Sequence, residues 1–467
     1  MSTPFTLSAG EIAQAAGAGV SGPASGAAFA SVSTDSRAIR AGDLFVAVPG
    51  PRFDGHAFIG EAVARGAAGV VASDAGAAAA VAGRVPVFVV ADTVAALQAI
   101  ARRVRERSGA AVVAITGSAG KTTTKEAIAA LLDARFRTIR NRGNLNNHIG
   151  LPLSLMELTG GAEVAVVELG MNHAGEIRRL VSIAAPDVRV WTNVGTAHIE
   201  YFGTMDAIAD AKAEILEGGE RAVLVANADD PLVMQRAHRF AGRTLTFGID
   251  QAAAVRATAI DDRGFDGVGA SVETPRGPMR IESPLAGRGH LLNVLAAVAV
   301  GVHFDVPIPA MVERVRTLRP APHRGEVLSL SGAVTVVDDC YNASPSALKE
   351  LLRTAAGDRV ERRRVAFLGE MLELGAASET LHRECGLAAA AAGVAALVTV
   401  GGPPARALGE AAVAAGLEPS QVAHVASSAD AAALAPQVVR RGDLVLVKGS
   451  RGVRMEQVVE RLAAEYA

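Results

Sequence analysis

The fold of this chain is decided by the stretch from Val112 to Thr124, which reads VVAITGSAGKTTT. Its apolar start predicts a buried strand, its glycines predict a turn, and Lys121 is expected to begin a helix. Backbone N–H groups in such a turn can surround an anion, and a helix N-terminus adds partial positive charge. Lys121 could then reach the outer phosphates of a nucleotide, and the Thr122 hydroxyl could bind Mg²⁺. The spacing G-x-x-G-K-T is two residues shorter than that of the usual phosphate-binding loop. The glycine, lysine and threonine nevertheless fall where the chemistry needs them, which favours a nucleotide site over an ordinary strand–helix turn.

Composition narrows the class of protein. The chain has 467 residues, enough for about three domains, and a formal net charge of −2 that gives no electrostatic case for nucleic acid or for an anionic membrane. The most apolar segment, 386–400, is alanine-rich and too weakly hydrophobic to cross a bilayer, and the N-terminus lacks the pattern of a signal peptide. Cys340 and Cys385 are the only cysteines, which suits a reducing compartment. We therefore expect a multidomain cytoplasmic enzyme.

The pattern of strands and helices predicts an α/β protein of three domains. Residues 1–108 read as a small α/β unit, and residues 109–320 as a central unit whose strands alternate with helices around a parallel or mixed sheet. Within the central unit, 243–284 is expected to form a β appendage. After a proline-rich boundary at 319–322, residues 321–467 repeat the alternation in a Rossmann-like way, but without G-x-G-x-x-G.

Two polar side chains follow strands of the predicted central sheet. Glu168 ends one apolar run, and His198 lies seven residues after the end of another at Trp191. In open α/β sheets ligands bind beyond the carboxyl ends of the strands, so both should face the crevice that holds the glycine loop. A lone glutamate at a strand end is usually only solvated, but at the same edge as Lys121 and Thr122 it is a candidate Mg²⁺ ligand.

Lys212 is the most unusual residue of the helix predicted over about 206–217. It falls on the apolar stripe defined by Ile208, Ala211, Ile215 and Leu216. A buried ammonium is costly, so the side chain either extends outward to water or points into the nucleotide crevice. A desolvated amine could be neutral enough to react with CO₂ and form a carbamate.

Two asparagine-bearing segments remain open to more than one interpretation. The loop 141–148, NRGNLNNH, is either purely structural or recognises a polar, amide-bearing substrate. A helix expected over Leu291–Val300 carries Asn293 in its first turn, where the side chain is either a local capping group or a contact for a nucleotide base. In the first unit, the clusters at 34–37 and 52–56 are on sequence alone best explained as solvated turns.

Taken together and in this order, the motifs resemble one family, the ATP-dependent Mur ligases of peptidoglycan synthesis. The segments that carry the resemblance are DSR at 35–37, RFDGH at 52–56, TGSAGKT at 116–122, NLNN at 144–147, ELGMN at 168–172, AHIE at 197–200, AKAE at 211–214, DDCYNA at 338–343 and KGSR at 448–451. The short glycine loop is usual in this family. Cys340 stands where serine is common, a small polar exchange that should leave the reaction unchanged.

The resemblance implies a reaction. ATP phosphorylates a substrate carboxylate, an amine attacks the acyl phosphate, and phosphate leaves. The most similar member joins D-alanyl-D-alanine to UDP-N-acetylmuramoyl-tripeptide. The alternative is the sister ligase that adds diaminopimelate or lysine as the third residue, but the Asp-Asn-Pro-Arg segment typical of that enzyme is absent. Folylpolyglutamate synthetase lacks such a first domain, and the guanine-reading Asn-Lys-x-Asp of nucleotide switch proteins is also absent.

By resemblance, each motif also receives a role. The resemblance implies two Mg²⁺ ions and a carbamylated Lys212, with Lys121, Glu168, His198 and Lys212 as the catalytic set. Metal ligation would fall to Thr122, Glu168, His198 and Lys212. ATP would contact Thr116, Gly117, Ser118, Ala119, Gly120, Lys121, Thr122, Thr123, Asn293, Arg324 and Asp339. The substrates would contact Ser36, Arg37, Arg52, Phe53, Asp54, Asn146, Asn147, Tyr341 and Asn342. The first domain would hold the UDP-sugar, the third would deliver the dipeptide, and the enzyme would act as a monomer.

Overall fold

The first unit of the fold is a small α/β domain. The computed structural model describes residues 3–467. The strands of this unit are β1 (Leu7–Ser8), β2 (Gly19–Ser21), β3 (Ala28–Phe29), β4 (Val32–Ser33), β5 (Leu44–Val46), β6 (Gly69–Ala72) and β7 (Val87–Val89), and its helices are α1 (Ala9–Ala16), α2 (Ile59–Ala64), α3 (Ala75–Ala79) and α4 (Thr93–Ser108). Strands pair in the order β2-β7-β6-β5-β4, all parallel except β2 with β7, while β1 pairs antiparallel with β3.

Helix α4 links the first unit to the second. Its N-cap is Asp92, which accepts from the amides of Val94 and Ala95, and it ends before Gly109 in a left-handed conformation. The sequence predicts this helix, because Asp92 and Thr93 are typical of an N-cap and the helix is expected to run to about Arg107. Its buried side chains share one apolar core with the first unit and with the helices of the central unit that cover 150–184. The predicted domain boundary at 108 therefore falls at the end of a helix that packs against both the first and the central unit.

The central unit is built on a nine-stranded sheet. Its strands are β8 (Ala111–Thr116), β9 (Thr138–Arg140), β10 (Val164–Glu168), β11 (Val188–Trp191), β12 (Val223–Asn227), β13 (Arg243–Gly248), β14 (Val255–Asp262), β15 (Val268–Glu273) and β16 (Met279–Ser283). Its helices are α5 (Lys121–Leu132), α6 (Gly150–Leu155), α7 (Glu176–Ala184), α8 (Ile199–Phe202), α9 (Met205–Ala213), α10 (Pro231–Ala237), α11 (Gly287–His303) and α12 (Ile308–Arg316). Lys121 begins α5 and Glu168 ends β10, as predicted.

Two expectations for the central unit are wrong. The region 243–284 is not an appendage, because the strand order β16-β15-β14-β13-β12-β11-β8-β10-β9 makes it one side of the main sheet. Strand β13 pairs parallel with β12, and buried Leu245 and Phe247 pack in the same core as α11. Helix α11 also begins at Gly287 rather than at residue 291, which moves Asn293 into its second turn.

The third unit has a six-stranded sheet between helices. Its strands are β17 (Glu326–Ser329), β18 (Thr335–Asp338), β19 (Arg364–Gly369), β20 (Val394–Val400), β21 (Val422–Val425) and β22 (Leu444–Lys448), and its helices are α13 (Pro345–Ala356), α14 (Ser378–Ala391), α15 (Pro403–Ala414), α16 (Ser428–Val438) and α17 (Glu456–Glu465). The order is β17-β18-β22-β19-β20-β21, parallel except for the edge strand β17. The alternating pattern of the sequence predicts five of these strands, near 333–338, 364–369, 395–400, 421–425 and 443–448, and misses β17. Across residues 3–467, none of the helices combines the length and the apolar character needed to span a bilayer.

Candidate active site

The loop between β8 and α5 has the shape of an anion cradle. Gly117 and Gly120 take φ angles of 153° and 79°, and a Cβ on Gly120 would lie 2.3 Å from Asn293 Oδ1. The first helical hydrogen bond runs from Thr124 N to Gly120 O at 2.8 Å. No side chain caps this helix, so the N–H groups of its first turn are left for a ligand.

Lys121 completes the cradle with a positive charge. Its Nζ donates to Gly117 O at 2.7 Å, so the side chain folds back over the loop. Burial lowers the pKa of Lys121, and Arg324 lowers it further, while the carboxylate of Glu168 opposes both effects. Cations gathered in this way are stabilised by an anion, which matches the polyphosphate of a nucleotide.

The far wall of the loop comes from the segment after β11. Ala119 N donates to Asn193 Oδ1 at 2.9 Å, and Thr192 Oγ1 donates to Ala119 O at 2.8 Å. A Cβ on Gly117 would meet the Thr192 hydroxyl at 1.9 Å, so only glycine fits there. Sequence reasoning gave Thr192 and Asn193 no role. The polar run directly after an apolar strand was the available signal.

Glu168 lies beside the loop, as its position at a strand end predicted. Its Oε2 accepts from Thr122 Oγ1 at 2.8 Å, and its Oε1 accepts from Asn146 Nδ2 at 2.7 Å. Its backbone N–H donates to Asn141 Oδ1 at 3.0 Å. A carboxylate and a hydroxyl held together are hard oxygen ligands of the kind that Mg²⁺ requires, so this pair fits a nucleotide-bound magnesium ion.

The amide-rich loop mainly supports Glu168 in this structure. Buried Asn141 also donates to Leu145 O at 3.0 Å, and its own carbonyl accepts from Lys125 Nζ at 2.6 Å. Asn147 Oδ1 accepts from the amides of Ile149 and Gly150, which fixes the start of α6. Asn146 and Asn147 therefore have structural partners, and their predicted contact with substrate stays a prediction.

Lys212 is buried rather than extended toward water. Only 1 % of the residue is exposed, and within the described residues 3–467 its ammonium makes neither a hydrogen bond nor an ion pair. Burial lowers the pKa of Lys212 well below the ordinary lysine value, and the charge of Lys121 lowers it further. The interpretation in which the side chain extends outward is thus wrong, and the buried Lys212 lies close enough to Lys121 for the two charges to repel each other.

His198 lies in the same electrostatic neighbourhood. It takes a left-handed conformation at φ 67° just before α8, and its Nδ1 lies 2.7 Å from Glu373 Oε2 of the third unit. Burial lowers the pKa of His198. The charges of Lys121 and Lys212 lower it too, and Glu373 opposes them. His198, Lys121 and Lys212 are therefore close enough to influence one another, as the strand-end argument predicted, whereas Glu373 was not foreseen.

Of the predicted nucleotide residues of the third unit, Arg324 lies near enough to the loop to influence Lys121. The Arg324 guanidinium stacks 4.1 Å from the centre of the Tyr341 ring, and its charge reaches Lys121. Asp339 Oδ2 pairs with buried Lys448 Nζ at 2.5 Å, and the same Nζ donates to Asn342 O at 3.1 Å. The remaining nucleotide candidate, Asn293, accepts from Thr124 Oγ1 through its Oδ1 at 3.1 Å. This bond indicates support of the loop and leaves the Asn293 amide nitrogen for a ligand.

The first-unit clusters form ordered turns. Asp35 Oδ1 and Oδ2 accept from the guanidinium of exposed Arg37 at 2.9 and 2.8 Å, while the hydroxyl of buried Ser36 donates to Glu61.

The second cluster of the first unit is a turn with an exposed tip. Asp54 caps the turn at 55–58 and contacts His56 Nδ1 at 2.6 Å. Arg52 and Phe53 are exposed, Phe53 by 73 %. The UDP-sugar role predicted for these residues stays a prediction.

Family comparisons match nearly all of the chain. Residues 28–105 match the Mur ligase family catalytic domain, residues 115–301 the Mur ligase middle domain, and residues 323–451 the glutamate ligase domain of Mur ligases.

Relatives of known name match over more than nine tenths of the chain. The chain is 33 % identical to UDP-N-acetylmuramoyl-tripeptide–D-alanyl-D-alanine ligase of Bacillus subtilis, over 92 % of each chain. Its structure is similar to MurF from Acinetobacter baumannii, with a TM-score of 0.87, 29 % identity and 99 % coverage of each chain. It is also similar to MurF ligase from Thermotoga maritima in complex with ADP, with a TM-score of 0.82 and 32 % identity over 93 % of this chain and 97 % of that one.

Proposed function

The chain belongs to the Mur ligase family, and from that premise we propose that it joins D-alanyl-D-alanine to UDP-N-acetylmuramoyl-tripeptide with consumption of ATP. The observation that carries this proposal is the match over 92 % of both chains to a ligase of that name. The sister ligase that adds the third residue is not favoured. The site supports the chemistry, since Lys121, Lys212 and His198 lie around one crevice beside Glu168.

We assign nucleotide binding to the β8–α5 loop and to the edge of the third unit that faces it. The ADP complex of the similar Thermotoga ligase supports use of ATP. Backbone N–H groups of the loop and Lys121 would hold the β- and γ-phosphates, where the unpaired N–H groups at the start of α5 need acceptors. Arg324 and Asn293 approach the same loop, and Asp339 is assigned to the ribose.

Magnesium fits two sets of residues. Thr122 and Glu168 offer oxygen ligands next to the phosphates, and His198 with a carbamylated Lys212 would offer a second set. When bound, the ions polarise the phosphoryl and carboxyl oxygens and neutralise the charge that develops during transfer. Glu168 is oriented for this task by Asn146 and Asn141.

Carbamylation would resolve the unfavourable burial of Lys212. The neutral amine would attack the carbon of CO₂ and form a C–N bond, while one C=O π bond breaks and its electrons move to oxygen. The nitrogen would release one proton to water, and the side chain would become an anion. The lowered pKa of Lys212 favours the neutral amine that this addition requires. The product would turn a repulsion with Lys121 into an attraction and would supply a carboxylate-like ligand.

The chain contributes mainly position and charge to the reaction. A carboxylate oxygen of the tripeptide attacks the γ-phosphorus and ADP leaves. The neutral dipeptide amine then attacks the acyl carbon and forms a tetrahedral intermediate. As this intermediate collapses, phosphate departs with the electrons of the C–O bond, and the nitrogen gives up one proton to solvent. Lys121 would stabilise the negative charge on the transferred group, while the three domains hold carboxylate, phosphate and amine together.

We also propose which residues contact the UDP-sugar and the peptide, together with the oligomeric state and the cellular compartment. Ser36, Arg37, Arg52, Phe53 and Asp54 are proposed to hold the UDP-sugar, with Asn146 and Asn147 along the muramyl-peptide and Tyr341 and Asn342 toward the third domain. All proposed groups come from one chain, so we propose a monomer. Its ATP and nucleotide-sugar substrates favour the cytoplasm.

Phosphate release tests the function directly. The purified protein is given ATP and Mg²⁺ with UDP-N-acetylmuramoyl-tripeptide and D-alanyl-D-alanine, and each peptide substrate is left out in turn. Release is expected only in the full mixture and is expected to be lost in Lys121→Ala. Release with UDP-N-acetylmuramoyl-dipeptide and a single diamino acid would instead identify the sister activity.

A further inference from the structure

A turn of the third unit reaches into the metal-binding side of the crevice. Beyond β19 the chain runs through 370–375, and Glu373 Oε2 lies 2.7 Å from His198 Nδ1. The contact is an ion-pair distance, although within residues 3–467 His198 Nδ1 has no partner that meets the geometry of a hydrogen bond. Glu373 is thus an acidic side chain next to a histidine that Lys121 and Lys212 also influence.

The main chain holds this contact in place as well. Glu200 N donates to Glu373 O at 3.2 Å, and a Cβ on Gly375 would lie 3.2 Å from the Cα of Glu200. Facing one another, His198 and Glu373 both have left-handed backbones, with φ of 67° and 63°. Such conformations are unfavourable for residues with a Cβ and persist where surrounding structure fixes them, often at functional sites.

The other end of the turn is anchored inside the third unit. Glu370 accepts from Gly402 N through its side chain at 2.6 Å and from Ser450 N through its carbonyl at 3.1 Å. Met371 N donates to buried His382 Nε2, and Leu372 N donates to Ser450 Oγ, both at 2.9 Å. The position of Glu373 is therefore set by the sheet of the third unit and not by a loose loop.

We propose that Glu373 is a positioning residue that orients His198 for metal binding and thereby couples docking of the third domain to assembly of the metal site. The proposal rests on the proposed function, since it takes His198 as a ligand. Glu373 faces Nδ1, which leaves Nε2 as the nitrogen for the metal. A histidine that binds a metal usually donates its other ring N–H to a carboxylate, which fixes the tautomer and the ring orientation. Here that carboxylate belongs to a different domain from the ring.

The structure allows one rival explanation. Glu373 could instead occupy the place of the metal and would then have to leave before the ion binds. The two explanations predict opposite effects of removing the carboxylate, because an orienting group strengthens metal binding and a competing group weakens it.

Metal affinity distinguishes them. Mn²⁺ replaces Mg²⁺ as a probe, and its binding to the full chain with a non-hydrolysable ATP analogue is followed by electron paramagnetic resonance. Glu373→Ala is expected to weaken binding of one Mn²⁺ by about 10- to 100-fold. Glu373→Gln keeps an acceptor oxygen and should recover most of the affinity. Glu418→Ala, an exposed change in the same domain, is the control and should match wild type.

Hydrogen exchange provides a second readout, which a merely structural role would not change in this way. Mn²⁺ with the ATP analogue should slow amide exchange at 371–375 and at Glu200 in wild type, and this slowing should be lost in Glu373→Ala. Unchanged or tighter Mn²⁺ binding by Glu373→Ala would overturn the proposal while leaving the ligase assignment intact. If wild type bound no Mn²⁺, the assigned metal site would fail together with this inference.

Discussion

Lys212 has a buried side chain whose ordinary charged form the surroundings disfavour. A lone ammonium in such a place is destabilising, and the nearby charge of Lys121 adds to the cost. A change in its chemistry therefore has a physical driving force in the folded protein itself.

We expect Lys212→Ala to lower kcat by on the order of 10²-fold, because one proposed metal ligand is lost. Acetate, which fits the vacated space, should restore part of the activity. Labelling with ¹³C-bicarbonate should give a carbamate signal in wild type that the variant lacks. Lys349→Ala, which removes a half-exposed lysine paired with Glu384, is the control and should behave as wild type. Near-normal activity in Lys212→Ala would contradict the carbamate assignment.

Cys385 predicts a dependence of stability on pH. Burial raises the pKa of this thiol to about 12, whereas an unfolded thiol ionises near about 8.5. Above about pH 8.5 the unfolded chain loses a proton that the folded chain keeps, so the free energy of unfolding falls as pH rises. Buried Cys340 acts in the same direction, because burial raises its pKa as well.

Urea unfolding at pH 8 and pH 10 measures the Cys385 effect. Cys385→Ala should reduce the loss of stability between the two pH values by about 2 kcal/mol relative to wild type. The substitution also creates a cavity, but the cavity lowers the free energy of unfolding equally at pH 8 and pH 10. It therefore cancels when the two pH values are compared. An equal loss in the two proteins would show that the folded thiol ionises as readily as the unfolded one, so that burial does not raise its pKa.

At the scale of elements, the β8–α5 loop can be tested by adding a single methyl group. Gly120→Ala combines a left-handed backbone with a contact 2.3 Å from Asn293 Oδ1. Gly17→Ala is the matched control, because Gly17 has φ 65° at the end of α1 and nothing within 4 Å. The control should lose about 1 kcal/mol of unfolding free energy from backbone strain.

Gly120→Ala should lose about 1–3 kcal/mol more than the control, since a packed neighbour must move. It should also bind ATP more weakly in calorimetric titration, because the anion cradle opens. Equal effects of the two substitutions would mean that the loop accommodates the methyl group.

Local patterns predicted the elements well where one periodicity dominates. The alternation of strands and helices in the third unit, the cap at Asp92 and the start of α5 at Lys121 are all confirmed. The region 243–284 was misjudged because its short strands are antiparallel only beyond β14, and sequence does not state which strand β13 pairs with. Likewise, the first turn of α11 was missed because it contains two glycines, which disfavour helix. Gly287 packs closely on Thr354 there.

In the candidate site, too, local patterns found some residues, whereas a contact between residues distant in the sequence was missed. Thr122, Lys121 and Glu168 were found because each lies at a strand end or a helix start. The contact between His198 and Glu373 joins residues 175 positions apart in two domains. Such a contact depends on how the domains pack, which no local pattern encodes.

At the scale of the whole molecule, Phe265 of the central unit packs into the core of the third unit and holds the two units together. It lies in the turn between β14 and β15, is buried, and packs with Leu348 and Leu352 in the core of the third unit. Its neighbour Gly264 packs tightly against Asp358, where a Cβ would lie 2.7 Å from the Cα. The two units are therefore held together at a point away from the crevice.

Phe265→Ala is expected to lower the free energy of unfolding by about 3–5 kcal/mol, as for other buried aromatic residues. Because the lost contacts cross between units, scanning calorimetry should show the third unit unfolding at a lower temperature than the rest. Phe53→Ala, at a residue 73 % exposed, should shift stability by about 0.5 kcal/mol or less. A single transition at the wild-type temperature would contradict the fastening role.

Helix α4 has a consequence for the length of substrate that the enzyme accepts. Its buried side chains belong to one core with both the first and the central unit, so separating those two units would expose apolar surface. The packing of the two units then sets the distance from the proposed sugar-binding turns to Lys121. A nucleotide-linked peptide one residue too short would leave its carboxylate short of the phosphate, whatever the affinity of its sugar. The enzyme would thus select the tripeptide by its length, which brings the carboxylate to the phosphate, rather than by recognising each side chain.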